Sequence, residues 1–274
     1  MNRDGLMLST TPLAFAAALA AFDAQAQAPR DCGGGRSEAP AEVARVIDGR
    51  SFVLADGREV RLAAIETLLA VPGDEDETRV QGARAAKTAL ETLLLDREVQ
   101  LFALSSGPDR YGRLVAYAFI RTLSGEALVQ HELLAAGHAL VSPAPSAATC
   151  RIYLRNAERD ARNGGLGLWG DPYHAVKAAA DPADVLVEQG RFALVQGKVM
   201  SVRESSGIVY VNLGQRWSEQ FTVTILKRNE RIFAGAGLTP KALVGRSIEV
   251  RGWVEERGGP AIEVLRPEQI EVVH

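Results

Sequence analysis

Val46-Ile47-Asp48-Gly49-Arg50-Ser51-Phe52-Val53-Leu54, followed by Val60-Arg61-Leu62-Ala63-Ala64-Ile65-Glu66-Thr67, decides the reading of the first half of this chain. An Asp-Gly pair between apolar runs is a strong hairpin signal, because both residues tolerate the positive φ of a tight turn. Two such pairs occur here, at Asp48-Gly49 and Asp56-Gly57. Together they predict three consecutive antiparallel strands, Val43–Ile47, Ser51–Leu54 and Val60–Ile65.

The pattern then breaks from Leu68 to Glu77, a loop holding Pro72, Gly73 and the acidic run Asp74-Glu75-Asp76-Glu77. Val80, Ala83, Ala86 and Leu90 recur on one face, with Leu93 and Leu94 beyond, which predicts a helix over 79–95. Val99–Leu104 and Leu114–Ile120 read as strands separated by a turn at Asp109–Gly112. Leu128–Ala136 reads as a short helix stopped by Gly137, and Cys150–Asn163 as a helix ending at Gly164-Gly165. Three strands, a helix, two strands and terminal helices describe a β-rich α+β domain, a small OB-like Greek-key barrel with helices, over 43–170.

Residues 171–190, with Pro172, Pro182, three consecutive alanines and Gly190, read as a linker. A second β region fills 191–274. Its expected strands are Phe192–Arg203, Ile208–Leu213, Phe221–Leu226, Ile248–Glu255 and Ala261–Leu265. Helical stretches near Asn229–Ala234 and Pro240–Val244 fall between the third and fourth. That order predicts a second small OB-like barrel as an accessory domain. Tyr210, Arg216, Trp217, Lys227, Arg228, Arg251, Trp253 and Arg257 mix aromatic and basic character there, as in surfaces that stack bases and track a backbone. Alternation assigns Tyr210 and Trp253 to its core, and through this domain a protein partner is also conceivable.

The chain has 274 residues with 47% hydrophobic and 24% charged, and a formal net charge of -3. This is a globular composition. A net negative charge excludes a broadly basic nucleic-acid binder, so any polyanion site must be a local patch. At the N-terminus, Arg3 precedes an apolar stretch, Leu13 to Phe22, and then the small-x-small sites Ala24-Gln25-Ala26 and Ala26-Gln27-Ala28. That layout predicts a cleaved secretory signal over 1–28, hence a periplasmic or secreted protein. Residues 29–42 read as a mobile arm, and no later segment is long and apolar enough to span a membrane. The two cysteines, Cys32 and Cys150, predict one disulfide in an exported chain.

Four segments are candidates for chemistry: the two quoted above, Asp109-Arg110-Tyr111-Gly112-Arg113-Leu114, and Gly165-Leu166-Gly167-Leu168-Trp169-Gly170. In this order and spacing they resemble the thermonuclease (staphylococcal nuclease-like, SNase) family over about residues 43–170. The resemblance implies an OB barrel that binds Ca²⁺ and cuts the phosphodiester backbone of DNA or RNA. Such chemistry needs several oxygen ligands for a hard cation, a carboxylate to activate water, and arginines to neutralise the developing charge. The family's first turn carries Asp-Gly-Asp-Thr, with its second Asp a metal ligand; here Arg50 and Ser51 fill the last two positions. The family's phosphate-contacting strand arginine matches Arg61, and the arginine of its Tyr-Gly-Arg turn matches Arg113. In the family's Asp-x-Pro-Glu, Asp binds metal and Glu serves as base. Here Glu66, Thr67, Leu68 and Leu69 stand there.

Arg61, Arg113 and Glu66 therefore match the family's site, while Arg50 reverses the charge of one ligand and Leu69 removes the base. A positive charge at about 4 Å strongly repels a divalent cation. The expectation is that Arg50 stands where metal would sit and pairs with Glu66. Arg50, Arg61 and Arg113 then form a metal-free anion pocket, with no metal or other cofactor. Asp48 and Asp109 are expected to brace their turns. Three readings follow: a protein that binds DNA, RNA or another phosphodiester without cutting it; a divergent Ca²⁺-dependent nuclease drawing a carboxylate from 74–77; or a scaffold for protein contacts. His131, His138, His174 and His274 are scattered and suggest no metal or base pair.

Overall fold

The computed structural model describes residues 29, 32, 34–70, 75–123, 125–145, 147–174, 176–214 and 220–273. The expected signal, Asp74, the Arg216-Trp217 pair and His274 lie outside the described residues.

The first half contains β1 (Arg36–Ser37), β2 (Ala41–Asp48), β3 (Ser51–Leu54), β4 (Glu59–Leu62), β5 (Ile65–Glu66), α1 (Glu77–Leu94), β6 (Glu98–Ala103), β7 (Leu114–Thr122), β8 (Gly125–Leu128), α2 (Val129–Ala135), β9 (Leu140–Val141) and α3 (Ala148–Asn163). β2 pairs with β3, β3 with β4, β4 in parallel with β7, β7 with β6, and β6 back with β2. The ring closes, so none of these five strands is left as a free barrel edge. Val43 and Val46 both face the core although three residues apart, because a register shift between Val43 and Arg45 re-aims the strand. Phe52, Leu54, Val60, Leu62, Leu90, Leu94, Leu101 and Tyr117 fill the interior.

The third strand is shorter than its apolar run predicts. β4 stops at Leu62, and Ala64 takes a left-handed φ of 63° before β5 pairs with β9. Tertiary contacts hold this turn. The buried Gln130 amide donates to the carbonyls of Ala63 and Ala116 at 3.3 and 3.0 Å, and its oxygen accepts the Ala118 N–H at 3.3 Å. Ser142 N–H donates to the Ala64 carbonyl at 2.8 Å. The turn carries Glu66 away from the barrel strand.

The segment read as an arm is attached to the barrel at two points. β1 pairs with β6, and Cys32 is disulfide-bonded to Cys150 across 118 residues. A loop of that length corresponds to about 4–5 kcal/mol in the chain-entropy model.

The second half contains β10 (Lys177–Ala178), α4 (Pro182–Leu186), β11 (Phe192–Lys198), β12 (Ser201–Ser205), β13 (Ile208–Asn212), β14 (Thr222–Leu226), α5 (Glu230–Gly235), β15 (Ser247–Glu256), β16 (Pro260–Glu263) and β17 (Ile270–Val273). The expected strand Phe192–Arg203 is divided at Val199-Met200. There the backbone changes partner, from β15 on one side to β13 on the other. Taking β11 and β12 as one bent strand, the order is that strand, β13, β14, β16 in parallel, β15 and back. This repeats the order of the first barrel, with α5 in the place of α1. The segment read as a linker is not a bare connector. β10 pairs with β11, α4 is capped by Asp181, and Ala179 and Val185 join the second core.

The two cores meet through buried charge. The Arg251 guanidinium, from β15, donates to both Glu158 carboxylate oxygens on α3 at 2.8 and 3.1 Å and to the Val141 carbonyl at 2.9 Å. It also reaches Glu249 at 3.1 Å, which in turn takes Arg162 from α3 at 2.8 Å. A second bridge joins Arg79 of α1 to Glu188 at 2.8 Å. No helix among the described residues is long and apolar enough to cross a membrane.

Breaking a buried pair from one side leaves an uncompensated charge. Arg251→Ala is therefore expected to lower unfolding stability by about 3–5 kcal/mol. Urea denaturation followed by circular dichroism checks this, and a change below 1 kcal/mol counts against the pair as a clamp between the barrels.

Candidate functional site

The site is built at the turn between β2 and β3. Asp48 Oδ1 accepts the Arg50 N–H at 2.9 Å, which fixes the turn in the bracing role expected for this acid. Gly49 is required by close packing: a Cβ there would stand 2.6 Å from the Ala86 Cβ of α1 and 3.0 Å from Thr67 Oγ1. The glycine lets the turn press against the helix, and Arg50 follows it inward, to 7% exposure.

Glu66, 5% exposed, receives two guanidinium groups. Arg50 forms an ion pair with one carboxylate oxygen, and Arg61 donates to the other. The structure thus brings Arg50, Arg61 and Glu66 into one cluster. Burial, with Arg61 and Arg113 nearby, pushes the Arg50 guanidinium down to about 10, with Asp48 opposing. Burial and then Arg113 also lower Arg61, against Asp109 and Asp48. Both remain cations at neutral pH. Arg50 Nε, Ser51 Oγ and Thr67 Oγ1 are buried without a hydrogen-bond partner.

Arg113 is placed differently. Its side chain donates to Asp109 Oδ2 at 3.1 and 2.8 Å, and lies 4.9 Å from the centre of the Tyr111 ring, which is 64% exposed. Asp109 Oδ1 accepts the backbone N–H groups of Tyr111 and Arg113 at 2.9 and 3.0 Å, so it does brace the turn. Burial works to raise the Asp109 carboxyl, but the hydrogen bonds from Arg113 and Tyr111 outweigh it and hold it below its ordinary value. Arg50 is internal and committed to Glu66, whereas Arg61 and Arg113 are both partly exposed, Arg61 on Glu66 and Arg113 on Asp109.

The carboxylates a metal needs are not assembled here. Among the described residues no three His, Cys, Asp or Glu side chains come together as a metal-binding group. The described acids of the loop are engaged or turned elsewhere. Asp76 caps α1 by accepting the Arg79 N–H at 3.1 Å, Glu77 accepts from Gln81 at 3.2 Å, and Glu75 is exposed. With one carboxylate already carrying two guanidinium groups, these residues do not fit a hard divalent cation.

The second barrel alters two expectations. Arg251 belongs to the seam between the barrels rather than to an outer surface, and Trp253, expected in the core, is 46% exposed. Strand period carries the missed signal. Ile248, Val250 and Val254 have one parity along β15, whereas Trp253 shares the other with Glu249, Arg251 and Glu255. Trp253 lies across from Phe192, ring centres 6.2 Å apart and nearly perpendicular. Both rings line a cleft of about 730 Å³ that also includes Arg61, Glu66 and Arg110.

A closed five-strand barrel with a helix after its third strand, and arginines from the third strand and the loop before the fifth, defines a thermonuclease-like fold. Residues 59–171 match the SNase family model, described as staphylococcal nuclease homologue, so the first barrel carries an SNase domain. The match begins after Arg50, but β2 and β3 complete the same barrel ring. No curated protein matches the chain.

Arg50→Ala leaves the buried Glu66 carboxylate with Arg61 alone. The expected loss is about 3 kcal/mol, the low end for a broken buried pair because one partner stays. Adding Glu66→Gln should recover part of it, since the uncompensated charge is then gone. Equilibrium urea unfolding of the two variants measures both, and additive losses would rule out the coupling.

Proposed function

We propose that this protein is an exported, thermonuclease-like binder of phosphodiesters, nucleic acid foremost, whose hydrolytic chemistry is lost. One observation carries the reading. The Arg50 guanidinium sits on the Glu66 carboxylate, the single acid standing at a family ligand position, and replaces a metal with a cation built into the chain. Hydrolysis also needs a base to deprotonate water, and Leu69 has no group able to do so.

What remains suits binding. A guanidinium has five N–H donors in a planar fork, and Glu66 takes only part of Arg61's capacity. Arg113 and Arg110 lie near the surface around the Tyr111 ring, at 4.9 and 4.7 Å from its centre. In this reading Arg50 neutralises Glu66 inside the barrel, while Arg61 and Arg113 meet the phosphate. The Cys32–Cys150 disulfide supports an oxidising location, periplasmic or extracellular. We assign residues 43–170 to the binding domain and 191–274 to an accessory domain.

The test is Ca²⁺-dependent digestion of single-stranded DNA by the purified protein, beside the double variant Arg50→Asp/Leu69→Glu. Wild-type protein should leave the DNA intact yet bind it, and Arg61→Ala and Arg113→Ala should each weaken binding. Gain of cleavage by the double variant would show that only the metal ligand and the base were missing. Cleavage by wild type, abolished by Arg113→Ala, would overturn the proposal in favour of an active nuclease.

A further inference from the structure

The cleft between the barrels is chemically two-ended. At one end stand two guanidinium groups, Arg61 and Arg110, against one carboxylate, Glu66, which already takes Arg61. At the other stand Trp253, 46% exposed, Phe192 and the half-exposed Leu265, all from the second barrel. Phe192 and Trp253 meet at 77° with ring centres 6.2 Å apart, an edge-to-face contact rather than a stack, and the indole keeps 46% exposure. Trp253 and Leu265 together form an exposed apolar patch beside these guanidinium groups, and apolar patches rimmed by polar residues mark interaction sites. The cleft's volume, about 730 Å³, lies within the range of small-ligand sites.

We infer that this cleft takes a nucleotide unit of single-stranded nucleic acid, its phosphate on Arg61 and Arg110 and its base stacked on Trp253 of the second barrel. This rests on the phosphodiester-binding reading and extends it: the second barrel supplies the contact that separates a nucleic acid from any other polyanion. Charge fixes the direction. Glu255 and Glu263 line the aromatic end and share Arg257, at 2.6 and 3.1 Å, so two carboxylates stand there against one cation. A phosphate is repelled from that end, whereas a neutral base is not. Every base has a π-face, so stacking on Trp253 is tolerant of sequence.

The experiment compares a thymidine decanucleotide with an abasic deoxyribose-phosphate chain of equal length, titrated into the full protein at fixed salt. Wild-type protein should bind the base-bearing chain more tightly. Trp253→Ala should weaken that binding about 5- to 150-fold, the range for loss of one stacked base, and leave the abasic chain unaffected. Trp253→Phe keeps an aromatic face and should retain most of the affinity. Quenching of tryptophan fluorescence by the base-bearing chain should fall in Trp253→Phe, which reports the contact independently of affinity. Equal affinity for both chains, unchanged in Trp253→Ala, would overturn this inference and leave the phosphodiester reading intact. Failure of wild type to bind either chain would remove that reading and the inference with it.

Discussion

A carboxylate inside a barrel must be compensated, and the placement of the candidate site follows from how Glu66 is compensated. At 5% exposure, the ionised Glu66 side chain needs cations within bonding reach. Arg50 and Arg61 provide two, one from the β2–β3 turn and one from β4, the strand that pairs with β3. Their convergence depends on backbone geometry set elsewhere. Gly49 allows the first turn to touch α1, and the left-handed Ala64 swings the chain so that Glu66 faces inward. Gln130 holds that turn from α2. A guanidinium tethered to the chain does not diffuse away as a metal ion does.

The same physics operates at the seam between the barrels, with opposite consequences. Glu158 and Arg251 are each buried, and each satisfies groups of the other barrel as well as its own surroundings. Apolar packing at this seam would tolerate sliding. Paired charges with fixed hydrogen-bond directions do not, because any displacement strands a charge in a poorly solvated place. The cleft that joins Arg61 to Trp253 thus lies between two barrels that these ion pairs also join.

Much of the fold was legible because it rests on local chemistry. Asp48-Gly49 and Asp56-Gly57 mark real turns, Gly137 and Gly164 end helices, and the α1 periodicity places its buried face within two residues of the observed bounds. The departures come from tertiary contacts. Nothing near Ala64 marks a left-handed residue, since the stabilising groups come from α2 and from Ser142. Val199-Met200 looks like uninterrupted strand, and only the change of partner strand reveals the corner. The segment 177–186 has linker composition, yet it is ordered because the second core takes up Ala179 and Val185. At the site, complementary charges at two motif positions made the Arg50–Glu66 pair readable. The Arg113–Asp109 fork was not anticipated, although both residues lie in one five-residue turn.

Charge balance around the site explains why a second contact matters. Arg50, Arg61 and Arg113 stand against Asp48, Glu66 and Asp109, three positive groups to three negative, on a protein whose net charge is -3. Such a cluster exerts little long-range pull on a polyanion, because opposite charges this close cancel within a Debye length. A phosphate entering it gains short-range hydrogen bonds to unused N–H groups but must compete with resident carboxylates. On the proposed reading, phosphate contacts alone give weak and strongly salt-dependent binding. Stacking does not share that weakness, since a base on an indole neither displaces a carboxylate nor depends on counterions. An exposed tryptophan on the second barrel is thus of most use to a first barrel whose arginines are already paired, and the rigid seam between the two is what lets one ligand reach both.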